Sequence, residues 1–237
     1  METFFTTNGL AALLTLSLLE IVLGIDNIIF ISILTNKLPK AQRPKARLAG
    51  IGLALVFRVL MLLGITWIIG FTQPLFTLLD HTVTGRDLVL FIGGLFLLWK
   101  STSEIHHKVS GEEMKEMGPA VAKSTLGIII QIGLLDIVFS FDSMLTAIGM
   151  TDNLPVMIAA VIISLIVMLL FAGRISSFIE KNPTLQMLAL SFLILIGTVL
   201  IADSAGFHVP KGYIYFAVVF SLIVETLNLQ LRKKSSD

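Results

Sequence analysis

Seven apolar stretches limit what this chain can become, because most are long enough to cross a hydrocarbon core as helices. They fall at about 9–34, 48–71, 87–100, 125–150, 156–179, 185–203 and 212–231. A helix needs roughly 20 apolar residues to span a bilayer core, and only the third stretch is markedly short. Composition agrees, with 55% hydrophobic and 14% charged residues and a mean hydropathy of +0.93. A soluble domain carries about 25% charged residues, so too few charges remain here to coat a water-facing surface. The expectation is an all-α polytopic membrane protein with about seven transmembrane helices in one transmembrane domain over residues 1–237.

The segments between the stretches are short and polar or carry proline: KLPKAQRPK at 37–45, TQP at 72–74, DNLP at 152–155 and KNP at 181–183. The charged run 104–123 reads as a solvated loop, with room for a short helix. The start, METFFTTNGL, has no basic cluster and no small-residue cleavage site follows, so the first helix is expected to stay as an anchor. No cysteine is present, which excludes disulfides, thiolate metal sites and thiol catalysis.

Cytoplasmic loops hold the excess of Lys and Arg. With the N-terminus outside, the inner loops carry 12 basic residues and the outer loops only two, Arg86 and Lys211. That split predicts an outside N-terminus and a cytoplasmic C-terminus. Three basic residues, Arg58, Lys100 and Arg174, lie within or at the edge of apolar stretches. Lys100 is expected to snorkel to the inner interface.

The first stretch contains LLEIVLGIDNII (18–29) and the fourth LLDIVFSFDSML (134–145). Aligned at an offset of 142 − 26 = 116, Asp26 falls on Asp142, Glu20 on Asp136, Asn27 on Ser143 and Arg58 on Arg174. GLFLLWKS (94–101) matches GTVLIADS (197–204) more weakly and needs another offset. The acidic copies lie three spans apart, an odd number, so the copies should run in opposite directions through the membrane. The chain is thus expected to hold two inverted three-helix repeats, about 9–100 and 125–203, with an extra helix at about 212–231. Secondary transporters are often built so, with the site near the midplane where the repeats meet.

Four carboxylates inside lipid cost on the order of 10 kcal/mol if unpaired, at about 2.5–3.5 kcal/mol each. Either Arg58 and Arg174 or a bound cation must offset that. On a continuous helix, positions seven apart share a face, which puts Glu20 with Asn27 and Asp136 with Ser143. Asp26 and Asp142 point to a neighbouring face unless the helices break, and Gly24 and Ser140 are where a break is cheapest. Glu20, Asp26, Asn27, Asp136, Asp142 and Ser143 form an oxygen-only donor set, which suits a hard divalent cation. The four histidines, His81, His106, His107 and His208, fall in expected loops. Arg58 and Arg174 read as counter-ions or structural residues, Asp203 and Glu225 are open between site and interface, and Gly93–Gly94 reads as a close helix contact.

At EIVLGIDN (20–27), DIVFSFDS (136–143), LFLLWKS (95–101) and the final GYIYFAVVFSLIVETLN, the sequence resembles the TerC family of integral membrane proteins. The resemblance covers essentially the whole chain and is expected to be with the short single-domain form. It implies a multi-pass bacterial inner-membrane protein near the LysE-like exporters, with manganese as a transported ion and no permanently bound cofactor. It places Glu20, Asp26 and Asn27, with Asp136 and Asp142, in the motif positions. The bilayer and the transported ion are then the partners. No nucleic acid is expected, and a homo-oligomer is allowed. Two other functions stay open: export of an amino acid or other small organic solute, and a non-transporting stress-resistance scaffold. An aspartyl protease, the enzyme class with two membrane aspartates, is not expected, because the second copy reads FSFDS where such proteases carry GxGD.

Overall fold

The computed structural model describes residues 6–78, 81–110, 125–151 and 153–234. The helices are α1 (Thr7–Thr35), α2 (Arg43–Leu63), α3 (Ile65–Gly70), α4 (Gly85–Ser110), α5 (Thr125–Met150), α6 (Leu154–Lys181), α7 (Pro183–Ser204) and α8 (Lys211–Lys234). All but the six-residue α3 are long and apolar enough to cross a membrane. The chain is an all-α polytopic membrane protein, and all seven expected spans are found.

Several boundaries differ from the sequence reading, the second span closing at Leu63 rather than at 71, and three differences have a local reason. The second span starts at Arg43 rather than near 48, because Pro44 suits a first helical turn and the basic side chains there find partners on α6. The short third stretch becomes a 26-residue helix ending at Ser110, so His106 and His107 lie in a helix and not in a loop. Lys100 pairs with Glu104 at 2.9 Å, an i,i+4 bridge that carries the helix past its apolar part. The segment after α3 is a β-hairpin, β1 (Pro74–Leu78) pairing antiparallel with β2 (His81–Thr84). Thr84 and Asp87 then cap α4 reciprocally: Asp87 Oδ2 accepts from the Thr84 N–H at 2.9 Å, and Thr84 Oγ1 accepts from the Asp87 N–H at 3.3 Å.

The chain divides into two compact units. The first holds α1, α2, α3, α5 and α6. Within it α2 lies along α5 in the same direction, with Gln42 beside Thr125, Gly50 beside Ile132 and Arg58 beside Asp136. α1 folds back on α2 through a tight turn, so α1 and α5 run in opposite directions. Arg43 holds that turn, donating to the carbonyls of Leu38 and Asn36 at 2.8 and 2.9 Å.

The second unit holds the hairpin, α4, α7 and α8. Its centre is an antiparallel contact between α4 and α7. A Cβ added to Gly94 would lie 2.7 Å from the Gly197 carbonyl, and one added to Gly197 3.0 Å from the Gly94 carbonyl. Only glycine permits that approach. α7 ends in a Schellman turn: Gly206 takes φ 86°, Phe207 N–H donates to Ala202 O at 2.9 Å and Gly206 N–H to Asp203 O at 3.1 Å. Asp203 there accepts from Arg86 at 3.5 Å and lies 3.1 Å from His208 Nδ1.

Candidate functional site

The polar centre of the first unit is built from three helices. α1 carries Glu20 and, seven residues on, Asn27. α5 carries Asp136, Ser140 and Ser143, spaced four and three apart so that they share one face. α2 supplies Arg58, which is 1% exposed, against 2% for Glu20 and 5% for Asp136. Close packing delivers the arginine. Ideal Cβ atoms on Gly50 and Gly133 would each come within 3 Å of the facing side chain, Ile132 and Leu53 respectively. These two notches let α2 lie tightly on α5.

Arg58 spans both acids. Its Nη1 donates to Glu20 Oε2 at 2.5 Å and its Nη2 to Asp136 Oδ1 at 2.7 Å, while Nε lies 3.2 Å from each Asp136 oxygen. Asn27 Nδ2 donates to Asp136 Oδ1 at 3.3 Å, and Ser140 Oγ to Oδ2 at 3.2 Å. Asp136 is therefore wrapped by donors from all three helices. Two carboxylates share one guanidinium, which leaves a formal charge of −1 among the described side chains. Removing one partner of a buried pair costs about 3–5 kcal/mol, since the charge left behind is unpaired.

The sequence-predicted residues divide into three groups. Glu20, Asn27, Asp136 and Arg58 come together. Ser143 is buried beside them, but its hydroxyl donates to the Ser140 carbonyl at 3.1 Å. The side chains of Asp26 and Asp142 lie outside the described part of the structure. Arg174 is not drawn in: it is exposed on α6. Neither motif helix breaks. α1 and α5 are continuous through Gly24 and Ser140, so the conditional break is not used. Gly24 instead receives Met168 of α6, whose sulfur lies 2.3 Å from where a Cβ would be. Ser140 spends its hydroxyl on Asp136. Among the described residues no three acidic or histidine side chains are grouped to hold a metal ion on their own.

Two participants were not foreseen as such. Ser140 figures in the sequence only as a place for a break, although its i+4 spacing from Asp136 is a usable signal. Arg58 serving both copies had no signal in sequence, because the 116-residue offset assigns it one partner in its own repeat.

An all-α polytopic membrane protein with a buried, charge-imbalanced cluster across opposed helices is the class these features define. The integral membrane protein TerC family matches residues 5–236, and the chain belongs to that family. It is 53% identical to the UPF0053 inner membrane protein YgdQ of Escherichia coli, over 96% of this chain and 95% of that one. It is 50% identical to a UPF0053 protein of Haemophilus influenzae over 94% of both chains. It is also 46% identical to the UPF0053 inner membrane protein YoaE of Escherichia coli, over 98% of this chain but 45% of that longer one. No solved structure matches the chain significantly.

Proposed function

We propose that the protein is a secondary transporter that exports a divalent cation, manganese by family resemblance, through the acidic cluster between α1, α2 and α5. The observation that carries this reading is the buried pair Glu20 and Asp136 sharing the single arginine Arg58. A structural salt bridge would be balanced one to one. Here a net negative charge stays in a region that lipid surrounds, and such residues serve transport far more often than architecture.

The inverted repeat and an outside N-terminus belong to the same proposal. Three features support them: the opposed directions of α1 and α5, the facing of the repeat-aligned glycines Gly94 and Gly197, and the basic bias of the expected inner loops. Exchange between two related arrangements of the repeats would open the site to each side in turn.

The test is Mn²⁺ flux into proteoliposomes, comparing wild type with Asp136→Asn and Asp142→Asn at equal folded protein. The expected result is flux in wild type and at least a tenfold loss in both variants, the scale of a ligand or near-ligand change. Silence of wild type with Mn²⁺ and other divalent ions, alongside efflux of a cationic organic solute, would transfer the site to the second transporter reading. Silence with every solute would favour the scaffold.

A further inference from the structure

We propose that Arg58 is a built-in counter-cation that holds the two carboxylates between transport cycles and exchanges with the divalent ion. This rests on the transporter reading above and gives the site a resting occupant.

The first argument is donor saturation. Both oxygens of Asp136 already accept: Oδ1 from Nη2 and Nε of Arg58 and from Asn27, Oδ2 from Nε of Arg58 and from Ser140. A cation needs those lone pairs, and Arg58 Nη1 also holds one of Glu20's two oxygens, Oε2, at 2.5 Å. Coordination by Asp136 therefore requires the guanidinium to leave.

The second argument is charge. With Arg58 alone the described cluster sums to −1. With a divalent ion alone, the two carboxylates are neutralised. Both cations together leave +1 on these described side chains, with guanidinium and metal a few ångströms apart at a depth where screening is weak. The two cations exclude one another. That exclusion answers a demand every exporter meets: an ion bound by two buried carboxylates must also leave, and the returning arginine displaces it.

The third argument is mobility. Arg58 stands on α2 and not on either motif helix, and α2 ends at Leu63, under two turns beyond it, with Gly64 as its cap. The helical path breaks there before α3, so α2 can tilt away from α5 while Glu20 and Asp136 keep their places on α1 and α5.

The experiment compares purified wild type, Arg58→Gln and Arg58→Lys for Mn²⁺ affinity, thermal unfolding with and without Mn²⁺, and Mn²⁺ flux. Without metal, Arg58→Gln should melt roughly 10 °C lower, from two unpaired buried carboxylates. Mn²⁺ should then restore most of that loss, because an ion that binds the folded state stabilises it by mass action. Its Mn²⁺ affinity should exceed that of wild type by about tenfold or more, as a competing ligand is gone, while flux falls because release is slowed. Arg58→Lys keeps a charge but loses the fork across two acids, so its affinity should lie between the other two; this variant carries the test where Arg58→Gln does not fold. Equal or weaker Mn²⁺ affinity in the substituted proteins, with wild type still carrying Mn²⁺, overturns the exchange and leaves the transporter reading intact. Absence of divalent-ion binding and flux in every form overturns both.

Discussion

Arg58 and Arg174 occupy the same place in two copies of one pattern, yet they meet opposite fates. Arg58 is buried on α2 and bridges acids from both copies, while Arg174 is exposed on α6. The neighbours explain the difference. α2 approaches α5 through Gly50 and Gly133, and the positions equivalent to these are Ile166 and Ser17. Ile166 is exposed on α6 rather than packed inward, and α6 meets α1 by seating Met168 over Gly24. A repeat in sequence fixes which residue types recur; small residues at the helix contacts decide which copy's arginine reaches the centre. The outcome is one counter-ion for two acids, and with it the charge imbalance that the proposed function uses.

The largest expected effect sets the two arginines against each other. Arg58→Ala should destabilise the protein by about 3–5 kcal/mol, because Glu20 and Asp136 would stay buried without their shared partner. Arg174→Ala should change stability by no more than about 0.5 kcal/mol, as for other surface substitutions. Thermal unfolding of both in the same detergent reads the contrast directly. Equal losses would mean that Arg174 is also drawn to the acids, and the asymmetry between the copies would fall.

The glycine contacts sharpen the same point at a smaller scale. Gly94 and Gly197 face each other through backbone carbonyls, which cannot retreat as a side chain can. Valine at either should cost alike, at the upper end of the roughly 1–3 kcal/mol typical of overpacking. Leucine at Gly133 meets the mobile ends of Leu53 and Phe57 and should cost less in stability. Under the proposed function it should nevertheless reduce Mn²⁺ flux, by moving α2 and Arg58 off Asp136. Gly52, with nothing within 4 Å of an added Cβ, is the control: alanine there should be neutral or stabilising by about 0.5–1 kcal/mol. Flux and melting temperature measured together separate the site effect from the packing effect.

Much of this was legible in advance, and the remainder shows where sequence runs out. Apolar stretches locate all seven spans, the short third one included, since the bilayer allows a backbone few other ways across. Seven-residue spacing puts Glu20 on one face with Asn27, and the structure brings Glu20 to Arg58 and Asn27 to Asp136. Helix ends were less legible where a tertiary partner pulls polar residues into the helix, as with Arg43 and Arg47 on α6 or Lys100 on Glu104. The hairpin was missed because PLFTL and HTVT are short, although their Thr, Val and Phe content favours strands. The double service of Arg58 was beyond reach, because it depends on which glycine notch closes over which neighbour.

The smallest effect lies where the two compared helices touch. Arg43 at the start of α2 pairs with Glu180 near the end of α6, and Arg47 Nη2 donates to Ser176 Oγ at 2.7 Å. Glu180 is 41% exposed, so the ion pair itself is worth about 0.2–1 kcal/mol, and Glu180→Gln should lose no more than that. Arg43→Gln should lose more, about 1–2 kcal/mol, because Arg43 also caps the carbonyls of Asn36 and Leu38 at the α1–α2 turn. The double variant separates the two contributions. If it unfolds no more easily than Arg43→Gln alone, the glutamate acts only through Arg43 and the turn is what holds α2 in place. If the losses add, Glu180 steadies α6 by another contact, and the two arms are less dependent on each other than their shared latch suggests.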